Sequence, residues 1–116
     1  MSIKRIDVGP RMSQAVIHGN TVYLAGQVAI DAPGKSAAEQ TKNILDRIDA
    51  LLAQAGSDKT KLLSATIWLA DMADFAAMNG VWDAWVSAGN TPGRACVESK
   101  LAAPQFTVEI GIIAAI

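Results

Sequence analysis

Residues 36 to 56 constrain this chain more than any other stretch. Ser36 followed by Glu39 is a capping box, and it opens a helix. Thr41, Ile44, Leu45, Ile48, Leu51, Leu52 and Ala55 then recur at three- and four-residue spacing and form one apolar face. Gly56 stops the helix in the left-handed cap position. A helix with one oily face must lie on something, and the rest of the chain is mostly strand-like. A layer of helix on sheet follows.

The strands read as follows. Ile3 to Val8 is a first short strand, closed by Gly9-Pro10. Ala15–His18 and Thr21–Ala25 flank Gly19-Asn20, a two-residue hairpin signal. Gly26 ends the second run, and Asp31 to Lys35 form a polar loop around Pro33-Gly34. Leu62 to Leu69 is a strand with Leu63, Ala65, Ile67 and Leu69 on one face and Ser64, Thr66 and Trp68 on the other. Asp71 or Asp74 starts a second helix, with Phe75, Met78, Trp82 and Trp85 as its buried stripe and Gly89 at its end. Arg94–Lys100 and Phe106–Ala115 are two further strands, separated by a loop containing Pro104.

The order β-β-β-α-β-α-β-β defines an α+β domain over residues 1–116, a six-stranded sheet with both helices on one side. At 116 residues there is room for one core and no second domain. The other face of the sheet keeps Trp68 and Ile113 and so calls for a partner, most simply another copy of the chain. The apolar share of 51% exceeds the usual value and is consistent with such an interface.

Composition removes several classes of function. Ten basic and eleven acidic residues without a block argue against a nucleic-acid binder. One cysteine, Cys96, and one histidine, His18, exclude an intrachain disulfide and a structural zinc site within one chain. No apolar run reaches membrane-spanning length and no signal core stands at the N-terminus, so the chain reads as cytoplasmic and without a built-in cofactor.

Two charges stand out. Arg94 follows a Pro-Gly break at the mouth of a short strand, and Glu109 sits alone in a β-branched apolar run. Such a charge is costly unless paired, solvated or bound to a ligand. Strand alternation puts Arg94, Cys96 and Glu98 on one face, and Thr107, Glu109, Gly111 and Ile113 on the face assigned to the subunit interface. An arginine suits a carboxylate bidentately, and a lone glutamate can orient or deprotonate a water. The plainer readings are an interface salt bridge for Arg94, a basic partner from a neighbouring subunit for Glu109, or the two meeting across that interface. Cys96 reads as a packed small residue, His18 as a turn residue, Asn79 as a possible backbone brace and Glu98 as an exposed strand residue.

The chain resembles the Rid (YjgF-like) family of small deaminases. The residues carrying the resemblance are Pro92-Gly93-Arg94-Ala95-Cys96-Val97-Glu98, Val108-Glu109-Ile110, Gly19-Asn20 leading into Tyr23-Leu24-Ala25-Gly26-Gln27, and Leu69 to Phe75 leading into Asn79. The resemblance implies a chorismate-mutase-like fold assembled as a homotrimer, with clefts between subunits and no metal or organic cofactor. It implies hydrolysis of reactive enamines and imines, such as 2-aminoacrylate and 2-iminobutanoate, to 2-keto acids and ammonia. Arg94 would hold the substrate carboxylate, Glu109 would position the attacking water, and Cys96 would line the pocket. Asn79 and the backbone around Gly26 would complete the cleft. The family's deaminases carry a tyrosine in a G-P-Y-x-Q segment; here Gly9-Pro10-Arg11-Met12-Ser13-Gln14 puts Met12 at its place, without the hydroxyl. Arg11 adds a charge that favours a larger or more acidic, aminomuconate-like substrate. The remaining alternative is a non-catalytic trimer that binds a 2-keto acid.

Overall fold

The computed structural model describes all 116 residues. Its strands are β1 (Ile3–Val8), β2 (Ser13–His18), β3 (Thr21–Leu24), β4 (Gln27–Val28), β5 (Leu62–Leu69), β6 (Gly93–Glu98) and β7 (Val108–Ala115). Helix α1 spans Ala37–Gln54 and α2 spans Phe75–Trp85. The strands form one sheet in the order β1-β2-β3-β7-β5-β6, with β4 also paired to β7. Only β5 and β6 run parallel. The α+β architecture expected from the sequence is present, with a seventh, two-residue strand that no sequence pattern of that length announces.

Local chemistry explains where α1 begins and ends. Ser36 Oγ accepts from the Glu39 amide at 3.2 Å and contacts the Glu39 carboxylate, so α1 starts where the capping box stands. Gly56, at φ +80°, closes it: its N–H reaches Ala53 O, and the Ser57 N–H reaches back to Leu52 O. That is a Schellman ending. Ile44, Leu45, Ile48 and Leu52 are fully buried against Ile67, Ile110 and Ile112 of the sheet.

Alternation in β7 holds throughout: Val108, Ile110, Ile112 and Ala114 are buried, while Glu109, Gly111, Ile113 and Ala115 are half-buried on the other face. In β5 the register shifts between Leu62 and Ser64. Leu62 therefore turns inward and Leu63, expected on the core face, is 51% exposed. A bulge inverts the alternation for one step, which no period-2 pattern reveals.

The second helix departs further from its expected stripe. Met78 and Trp82 are buried, but Phe75 is 37% exposed. Trp85 is only half-buried, its indole N–H donating to Asp49. The helix ends at Trp85 with Val86 extended, four residues before Gly89, which lies in the following loop. The strands expected over Arg94–Lys100 and Phe106–Ala115 are shorter, at Gly93–Glu98 and Val108–Ala115.

Candidate active site

Arg94 lies in β6, at the edge of the sheet. It pairs with Ala65 of β5, and Cys96 pairs with Ile67; both β5 residues are buried on the helix side. Cross-strand partners share a face, so Arg94 and Cys96 belong to the helix-covered side. There α2 supplies the surroundings. Arg94 Nη1 donates to Asn79 Oδ1 at 2.8 Å. The guanidinium carbon stands 5.9 Å from the Phe75 ring centroid and 5.6 Å from that of Trp82. These cation–π contacts and the amide fix the guanidinium while leaving the side chain exposed.

Phe75 and Trp82 were expected only as core. Their role around Arg94 has no sequence signal, because the helical stripe that predicts burial is the same one that aims them at the β6 edge. Glu98, at the far end of β6, accepts the Met72 N–H at 3.0 Å and ties the strand to the turn leading into α2. It is a brace between the two elements that hold Arg94.

Glu109 lies in the central strand β7 and pairs with Trp68 of β5 and Val28 of β4. All three face the side without helices. The carboxylate rests flush on the backbone of Gly26: a Cβ built there would overlap Oε2 and stand 3.1 Å from Cδ. Only glycine admits that approach. The indole of Trp68 lies over Gly111, 3.4 Å from where its Cβ would be. Between wall and backbone, partial burial raises the Glu109 carboxyl above the ordinary glutamate value.

The chain brings these residues together in two groups. Arg94, Asn79 and Cys96 meet beside α2; Glu109 and Gly26 meet on the opposite face of the sheet. Met12 joins neither group: it is exposed in the β1–β2 turn, where its carbonyl accepts from the Gly9 N–H, and β1 is the sheet edge opposite β6. Neither Arg94 nor Glu109 has an ion-pair partner within the chain, whose one salt bridge is Lys42–Asp46. None of the chain's four cavities is lined by either residue.

Cys96 is half-buried and packed against the core. Burial pushes its thiol up, and the nearby Arg94 offsets this only in part. It stays a thiol at neutral pH and is no ready nucleophile.

A mixed sheet carrying two helices on one face, with an unpaired arginine at its edge and a lone glutamate on its bare face, defines a YjgF-type domain. The chain belongs to that family, also called RutC and Rid: the family model described as Endoribonuclease L-PSP matches residues 2–116. It is 51% identical over 117 residues to the RutC family protein YoaB of Escherichia coli strain K12, covering all of both chains. The crystal structure of NMB1025, a YjgF-family protein of Neisseria meningitidis, superposes with a TM-score of 0.96 at 50% identity, over 99% of this chain and 95% of that one. The Rid-family protein YyfA of Yersinia pestis gives 0.84 at 30% identity, over 94% and 90%. Membership supports a deaminase or imine-processing role at the level of the family. No helix is long and apolar enough to cross a membrane.

Proposed function

We propose that this protein hydrolyses small, carboxylate-bearing imines and their enamine tautomers, of the 2-iminobutanoate and 2-aminoacrylate type, to 2-keto acids and ammonia. The observation that carries this reading is Arg94: a guanidinium without any acidic partner, held in place by Asn79 and two aromatic rings. A preset cation of that kind fits a planar carboxylate bidentately and loses little entropy on binding.

The chemistry asks little more of the protein. An imine carbon is already electrophilic, so water can add to it without a covalent intermediate on the enzyme. Glu109 takes a proton from that water as its oxygen bonds to the carbon. Returned to the nitrogen, that proton completes a carbinolamine. The carbinolamine hydroxyl then gives its proton to Glu109, which passes it to the amine nitrogen as the C–N bond breaks, leaving a keto group and ammonia. A carboxyl whose acidity is weakened by burial is suited to both accept and return a proton. Cys96 lines the pocket as a neutral wall, and Asn79 holds Arg94 in register.

Arg94 and Glu109 sit on opposite faces of one sheet, so a working site takes each from a different copy. We propose a homotrimer in which the bare sheet face of one subunit meets the β6–α2 edge of the next. The interface would cover Trp68, Ile113, the 45%-exposed Tyr23 and the 46%-exposed Val97. Exposed Arg11 offers a second cation for a dicarboxylic imine, the nearest alternative substrate class.

The test is release of ammonia and 2-keto acid from freshly generated 2-iminobutanoate by wild type, Arg94→Ala, Glu109→Gln and a mixture of the two variants. Each variant alone is expected to be impaired by about 10²-fold in kcat/KM. Reassociated one to one, about a quarter of the sites regain both residues if each site draws on two copies. No recovery from a mixture shown to exchange subunits would place both residues in one chain's site. Binding of 2-oxobutanoate without turnover by wild type would replace the enzyme with a keto-acid-binding trimer.

A further inference from the structure

On the helix side of the sheet, directly behind Glu109, a buried amide is fully engaged in hydrogen bonds. Gln27 of β4 is 2% exposed and pairs with Ile110, which fixes its side chain on the helix face. Its Oε1 accepts from Arg47 Nε of α1 at 3.3 Å. Its Nε2 donates to Gln14 Oε1 at 2.9 Å and to Ala25 O at 3.0 Å. Arginine has no acceptor, so it forces the amide oxygen of Gln27 toward itself and the NH2 group toward Gln14 and Ala25. Arg47, which only donates, and the Ala25 carbonyl, which only accepts, thus both select this orientation of the amide.

That orientation matters because of what Ala25 and Gly26 do. From Tyr23 to Gln27 the chain advances four residues, while their partners on β7, Ile113 and Ile110, are three apart. One residue is extra, which makes Ala25-Gly26 a bulge between β3 and β4. The bulge is clamped at both ends of Ala25: its N–H donates to Gln14 O at 2.9 Å, and its C=O accepts from Gln27. The next residue is Gly26, against which the Glu109 carboxylate rests.

We propose that Arg47 and Gln27 are positioning residues for Glu109, holding the Ala25-Gly26 bulge against its carboxylate through the thickness of the sheet. For its effect on catalysis this rests on the deaminase reading; for its effect on Glu109 it does not. Arg47 is free for the task, having no acidic partner. A buried amide without partners costs about 1–3 kcal/mol, so an apolar residue would be the cheaper filler at position 27.

The groups facing Glu109 are Trp68 from β5, Val28 from β4, Gly26 from the bulge, and Thr107 and Gly111 along its own chain segment. None titrates, so the closeness of the bulge and the Trp68 wall govern how much water reaches the carboxylate. Loosening the bulge admits water and returns Glu109 toward ordinary glutamate acidity.

The experiment is a 13C-carboxyl NMR titration of Glu109 in the assembled protein, comparing wild type, Arg47→Met, Arg47→Lys and Gln27→Met. In Arg47→Met the apolar stem is kept and the donor is removed together with its charge. Loss of the charge by itself would raise the Glu109 midpoint, so a fall reports the bulge. The expected result is a titration midpoint about half a unit lower in Arg47→Met, with partial return in Arg47→Lys. Gln27→Met, which deprives Ala25 O of its donor without adding a charge, should move the midpoint the same way. In turnover assays kcat should fall several-fold with KM unchanged, and the acid limb of the pH profile should follow the NMR midpoint. A Glu109 titration identical to wild type in a folded Arg47→Met protein overturns the proposal, even if that variant melts at a lower temperature. If wild type shows no turnover, the deaminase reading fails, while the NMR arm still decides this one.

Discussion

Two charged residues of this sheet, Arg94 and Glu109, are kept in opposite ways. Arg94 is on an edge strand, exposed, and held by an amide and two aromatic rings that leave its charge available. Glu109 is on the central strand, half-buried between an indole and a glycine, with its carboxyl acidity weakened. On the proposed function, the difference separates two tasks. Binding an anion needs a permanent charge in a fixed place, and an edge with a helix beside it provides that. Handling a proton is served by a carboxyl less acidic than an ordinary glutamate, and partial burial in a central strand moves Glu109 in that direction.

The comparison can be broken most sharply at Glu109. Glu109→Gln is expected to lose about 10²-fold or more in kcat, the usual worth of a general base, while 2-keto-acid binding survives. Arg94→Ala should fold and assemble normally but lose about 10²-fold in kcat/KM, chiefly through KM, since a bidentate charge-assisted contact disappears. If steady-state kinetics gave the reverse split, the two roles would be exchanged. An unfolded Arg94→Ala protein would make that residue structural.

Glycines offer the next test. Gly26→Ala forces the Glu109 carboxylate off the backbone; because the end of a flexible side chain gives way, it should cost activity and less than about 1 kcal/mol in chemical denaturation. Gly111→Ala meets Trp68 at ordinary contact distance and should cost less than about 1 kcal/mol.

A smaller effect is expected in pH-dependent stability. Glu109 holds its proton more tightly folded than unfolded. Between the ordinary glutamate value and its raised folded value, the native state therefore binds more protons, and stability falls as pH rises through that window. Glu109→Gln should flatten that slope in thermal melts across the window. The smallest change is Phe75→Leu, which removes one of the two rings over Arg94 and should raise KM a few-fold, in line with about 0.5–1 kcal/mol for an exposed cation–π pair.

Much of the fold was legible along the chain. The capping box at Ser36, the apolar face from Thr41 to Ala55 and the alternation of β7 each have a period that exposes them. What escaped were the places where the period breaks: the bulge that turns Leu63 outward, the two-residue strand at Gln27-Val28, and the early end of α2. Arg94, Glu109 and Cys96 were legible as anomalies of charge or chemistry. Their neighbours were not, because Phe75 and Trp82 read as ordinary core.

By itself, the sequence determined which stretches are helix and strand, that one sheet face is oily and the other bare, and that two isolated charges demand a reason. These are local properties, set by the spacing of apolar residues and the identity of caps. Only the tertiary structure decided that Arg94 and Glu109 face away from each other, that Gly26 is the floor under the carboxylate, and that Arg47 donates to Gln27 next to the Ala25-Gly26 bulge. Strand order and register decide such matters, and they arise from pairings between residues far apart in the chain, which no local pattern encodes.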